Sequence, residues 1–98
     1  MLRFSLGNEY ISIEEYDTAA EHLARAVELD RNYSAAWKLL GRSLTNTGRE
    51  SQAISAYREG IAIAEQKGDR QAAKEMTVFL KRLLKTQASS GKAPGGSL

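Results

Sequence analysis

Apolar residues recur along almost the whole chain at intervals of three and four, the period of a helix that buries one face, rather than in the alternation of a half-buried strand. Leu2, Leu6 and Tyr10 mark a first stripe, and Tyr16, Ala19, Ala20, Leu23, Ala26 and Val27 a second. Trp37, Leu40 and Leu44 follow, then Ala53, Ile54, Tyr57, Ile61 and Ala64, and finally Ala72, Met76, Phe79, Leu80, Leu83 and Leu84. The pattern predicts five helices, over 2–12, 16–29, 34–46, 50–65 and 69–85, and therefore an all-α fold.

The polar breaks between the stripes carry turn and cap chemistry. Asp30-Arg31-Asn32 supplies turn formers, and Ser34 after it is the expected N-cap, because its hydroxyl can accept from a first-turn amide that has no helical partner. Gly48 is expected to end the third helix in the left-handed conformation, and Gly68 to end the fourth while Asp69 caps the fifth. The break around Ile13 to Glu15 carries the weakest signal. Connections this short make consecutive helices antiparallel. The stretch "QASSGKAPGGSL", 87–98, has no apolar stripe to offset the entropy of ordering and is expected to form a flexible tail.

Shifting the chain by 34 residues against itself places Leu6-Gly7 on Leu40-Gly41, Tyr10 on Leu44, Ala19 on Ala53, Leu23 on Tyr57 and Leu29 on Ile63. The period and the residue types resemble the tetratricopeptide repeat, with Trp37, Leu40, Gly41, Ala53 and Tyr57 matching in the second copy and Leu6, Gly7, Tyr10, Ala19 and Ala26 in the first. "AVELDRNYSAAW" resembles that family's junction between repeats, with Arg31 where proline is usual and Arg3 in the first repeat's Trp place. The resemblance implies a right-handed superhelical array of helical hairpins: repeats over 1–33 and 34–67, a C-terminal capping helix over 68–86, and the tail beyond it. Gly7 and Gly41 then let a neighbouring helix backbone approach, and Ala19 and Ala53 sit where the helices of one hairpin cross.

Composition narrows the function. At 98 residues the chain is one domain at most, burying only about 60 to 65% of the surface of its unfolded chain, so the core is thin. With no cysteine there are no disulfides, thiolate nucleophiles or cysteine-based metal sites. No apolar run approaches the roughly 20 residues that cross a bilayer, and "MLRFSLGNEY" lacks the apolar core of a secretion signal, so a cytoplasmic protein is expected. The net charge of +2 conceals a division: residues 1–30 hold seven acids against two bases, −5, and residues 31–98 twelve bases against five acids, +7. Such asymmetry steers an acidic partner toward the C-terminal half or favours head-to-tail contact between copies.

No catalytic set, cofactor motif or metal-ligand set emerges. His22 stands alone on a charged helix without a nucleophile to serve, and Glu14, Glu15 and Asp17 sit where a helix N-terminus attracts acids. The glycines are too widely spaced for a phosphate-cradling loop. The family resemblance instead implies a non-enzymatic module whose first helix in each repeat lines a concave groove. The matching positions are Phe4, Ser5, Asn8 and Ser12 in repeat one, and Lys38, Leu39, Arg42, Thr45 and Asn46 in repeat two. With a one-residue shift of the cap, Arg70, Lys74, Thr77 and Lys81 join them. That lining suits a peptide or protein segment with acidic residues. It does not match the carboxylate clamp of the chaperone-binding branch, because Phe4 and Leu39 stand where Lys and Asn belong. Two other readings compete: nucleic-acid binding, opposed by Glu59, Glu65, Asp69 and Glu75 among the bases, and self-association into a homo-oligomer through the bare first helix.

Overall fold

The computed structural model describes residues 2–96. They form α1 (Leu2–Ser12), α2 (Tyr16–Leu29), α3 (Ser34–Asn46), α4 (Glu50–Lys67) and α5 (Arg70–Gly96), with no strand among the described residues. Each helix packs on the next in sequence, and α1 with α3 and α3 with α5 also touch. The odd-numbered helices therefore share one side of the array and α2 and α4 the other. The sequence reading ended α5 near residue 85 and expected a tail, but the backbone is helical to Gly96. Extending a helix already docked at its start avoids the cost of nucleation, which is what makes short isolated helices rare. Residues 97 and 98 lie outside the described residues.

Three of the four turns share one device. Glu15 N–H reaches the Tyr10 carbonyl at 2.8 Å, Arg49 N–H that of Leu44 at 2.9 Å, and Asp69 N–H that of Ala64 at 2.8 Å, the six-residue closure of a Schellman motif. Each closure needs a left-handed residue just before its donor: Gly48 and Gly68, both with φ +78°, and Glu14 with φ +60°. Glu14 stands 34 residues before Gly48 and does a glycine's work with a Cβ, so the weak sequence signal at this turn is a missing glycine rather than a missing turn. Glu14→Gly is expected to stabilise the protein by about 1 kcal/mol, raising the thermal midpoint by roughly 4–8 °C. An unchanged midpoint by circular dichroism would show that the turn stores no strain.

Asp69 caps α5 as expected, its Oδ1 accepting from Ala72 N–H at 3.2 Å. Ser34 does not cap α3. The cap residue is Tyr33, and the buried Ser34 hydroxyl donates instead to Asp69 Oδ2 at 3.2 Å, so this hydroxyl ties the second repeat's start to its end. Lys67 Nζ, donating to the Asn32 carbonyl at 2.6 Å, closes the same end of the hairpin. Glu15 likewise precedes α2 without a side-chain cap, while Asp17 in its first turn pairs with Arg49 from the α3–α4 turn.

The core is built on large residues seated over glycines. A Cβ on Gly7 would lie 2.5 Å from Leu23 Cγ, one on Gly41 2.6 Å from Tyr57 ring carbons, and one on Gly60 2.6 Å from Met76 Sδ. In each case a glycine admits the side chain sixteen positions later on the next helix, so the close neighbour is a side chain and not the helix backbone that the repeat pattern suggests. Ala19 on α2 and Ala53 on α4 are fully buried.

Candidate functional site

On the side of the array formed by the odd-numbered helices, α3 and α5 enclose a cleft of about 430 Å³. Lys38, Leu39 and Arg42 contribute from α3, and Glu75, Val78, Phe79 and Arg82 from α5. It continues into a second depression, which shares Arg42, Phe79 and Arg82 and adds Thr45, Asn46, Glu50 and the edge of Tyr57. Leu39, Val78 and Phe79 make an apolar floor, with the Phe79 ring stacked 5.8 Å from that of Tyr57. Tyr57 is 1% exposed, and burial pushes its phenol up to about 12 against the opposing pull of Thr45 and Arg42, so it stays neutral at physiological pH.

The cations around this floor are not equivalent. Lys38 Nζ donates to Glu75 Oε1 at 2.7 Å, and Gln71 Nε2 to Glu75 Oε2 at 2.9 Å. The hydrogen bond from Lys38, and then that from Gln71, hold the Glu75 carboxyl below its ordinary pKa, so the pair enters the cleft already neutralised. Arg42 and Arg82 have no carboxylate partner among the described residues. The Arg82 guanidinium lies 5.9 Å from the centre of the Phe79 ring, which fixes its position beside the floor. Asn46 spends its amide N–H on the Arg42 carbonyl at 2.9 Å, and the Thr45 hydroxyl is spent on the Gly41 carbonyl at 2.8 Å.

The residues singled out from sequence fall in three places. Lys38, Leu39, Arg42, Thr45 and Asn46 do line the cleft. Phe4, Ser5, Asn8 and Ser12 line a separate shallow depression on α1 with Glu9, and Phe4 is partly spent on packing, its ring 4.7 Å from Tyr33. Arg70, Lys74, Thr77 and Lys81 line a different depression, shared with Glu65 and Gly68 at the end of the array, which meets the α3–α5 cleft at Val78. The cap's register explains the difference. Met76, seated over Gly60, is the buried centre of α5, and the flank turned toward α3 is 75, 79 and 82, whereas 74, 77 and 81 occupy the opposite flank. Glu75, Val78, Phe79 and Arg82 were therefore missed as cleft residues. Helical spacing around Phe79 was the available signal, since 75 and 82 stand one turn before and after it.

His22 is structural. Its Nδ1 accepts from Arg3 at 3.0 Å and its ring stacks on Tyr10 at 5.4 Å, so the side chain is held between α1 and α2. Among the described residues no three His, Cys, Asp or Glu side chains gather as metal ligands, and no helix is long and apolar enough to cross a membrane.

Comparison with known proteins bears on what such a cleft is for. The family model described as "Tetratricopeptide repeat" matches residues 12–76. A TPR repeat-containing protein of Pseudomonas aeruginosa is 49% identical over 83 residues, which are 85% of this chain and 79% of that protein. The solution structure of a Bordetella parapertussis protein, 44% identical, superposes with a TM-score of 0.80 over 89% of this chain and 76% of that one. The crystal structure of a tetratricopeptide repeat domain protein from Salinibacter ruber shares the fold at 23% identity, with a TM-score of 0.77 over 84% of this chain and 91% of that one.

Proposed function

We propose that this chain, which belongs to the tetratricopeptide-repeat family, is a non-catalytic interaction module whose α3–α5 cleft holds an acidic, partly apolar peptide segment of a partner protein. Proteins of this family generally serve protein–protein interaction. The observation that carries the finer reading is the pair of guanidiniums, Arg42 and Arg82, standing without carboxylate partners among the described residues on either side of the Leu39–Val78–Phe79 floor. A floor of that kind takes an apolar side chain, and planar guanidiniums at its rim take carboxylates, each with two donors aligned to both oxygens. Lys38 is a lesser contributor, because Glu75 already neutralises it.

Peptides selected on the immobilised protein from a random display library should be enriched in Asp or Glu beside Leu or Phe. They should perturb the amide signals of Leu39, Arg42, Phe79 and Arg82. The double reversal Arg42→Glu with Arg82→Glu should weaken them at least tenfold, about 1.4 kcal/mol, with helicity unchanged because both side chains are exposed. Selected peptides that map to another surface, or bind the doubly reversed variant equally well, would overturn the assignment.

A further inference from the structure

The charge division in the sequence becomes a geometric one in the fold. On α5, Arg70, Lys74, Lys81 and Lys85 share one exposed stripe, on the side of the helix away from buried Met76 and Leu83. None of the four makes an ion pair among the described residues. Val78, 44% exposed, lies along the helix between Lys74 and Lys81 and borders both this stripe and the α3–α5 cleft. The depression beside it is lined by Arg70, Lys74, Val78 and Lys81, with Glu65 as its only acid.

At the opposite end of the array the α1–α2 hairpin has the reverse arrangement. Asp17 and Glu28 are paired, to Arg49 and Arg25, but the exposed carboxylates of Glu9, Glu14, Glu15 and Glu21 have no cationic partner among the described residues. The turn projects Ile13, 63% exposed, directly before Glu14 and Glu15. One end thus offers an apolar residue flanked by acids, and the other an apolar residue flanked by bases. Unpaired like charges gathered on each end repel locally, and contact between opposite ends relieves both repulsions at once.

We propose that this chain associates head to tail with a second copy of itself, the Ile13-Glu14-Glu15 turn of one copy seating on the Lys74–Val78–Lys81 face of α5 of the next. The contact is heterologous, because the two surfaces differ, so each copy keeps a free end and assembly continues with concentration instead of stopping at a symmetric pair. The occupant is a second copy because charge and apolar pattern on the two ends of one molecule are complementary, and this role accounts for Lys74 and Lys81, which the α3–α5 cleft does not use.

Sedimentation velocity on the full chain tests the assignment. The average mass should rise with protein concentration at about 20 mM salt and fall back toward monomer at about 0.5 M salt, where charges more than a few ångströms apart are screened. Lys74→Glu with Lys81→Glu should weaken association at least tenfold, and Glu14→Lys with Glu15→Lys should do the same. Mixing the two variants should restore it, because each now presents a surface of opposite sign to the other. Restoration also shows that both variants remain folded. A monomer at every concentration in low salt, or association indifferent to both reversals, would overturn the proposal.

Discussion

Trp37→Ala is expected to cost about 3–5 kcal/mol, the usual range for emptying a buried tryptophan site, and so to consume most of the stability of a domain this small. The indole touches three things at once. The residue is 8% exposed, its Nε1–H donates to the Arg31 carbonyl at 2.8 Å, and the Arg31 guanidinium covers its face at 5.6 Å while pairing with Glu59. Removing the ring opens a void between α3 and α4, leaves a hinge carbonyl without its donor, and frees the guanidinium that ties the hinge to α4. Trp37→Phe separates these effects. It keeps most of the buried area but not the N–H, and should cost about 1–2 kcal/mol. Urea midpoints followed by circular dichroism measure both, and a Trp37→Ala loss no larger than that of Trp37→Phe would show that the packed ring adds nothing beyond the hydrogen bond at the junction.

Gly41→Val should destabilise by about 3 kcal/mol, through crowding alone. Local propensity argues the other way, since glycine is the poorer helix former of the two by a few tenths of a kcal/mol. The contest is decided by Tyr57, whose ring carbons would lie within 2.6 to 2.8 Å of the new Cβ. A flexible neighbour would swing aside, but this ring is 1% exposed and stacked on Phe79, so it has nowhere to go. The same displacement would disturb the cleft floor, coupling the packing of the second hairpin to the shape of the cleft above it. A denaturation midpoint raised by this substitution would mean that propensity outweighs the contact and that the glycine is not a packing residue.

The five helices, and Gly48 and Gly68 at two of their ends, were legible because helical period and turn chemistry are local properties of neighbouring residues. The repeat was legible because equivalent packing environments demand similar volumes 34 positions apart, which is why Gly7 and Gly41 recur together. Less legible was Ser34: a hydroxyl at a helix start is a cap by local rules, but here a carboxylate 35 residues away competes for it.

The sequence by itself thus determined the number of helices and their antiparallel order, because these follow from local periodicity and short connections, and its resemblance at Trp37, Leu40, Gly41, Ala53 and Tyr57 to a known repeat pointed to the family. Only the tertiary structure decided which flank of α5 faces α3, since a buried stripe has two flanks and the seating of Met76 over Gly60 chooses between them. That choice put Glu75 against Lys38, brought Arg82 rather than Lys81 opposite Arg42, and left Arg70, Lys74 and Lys81 on the far side, at the end of the array.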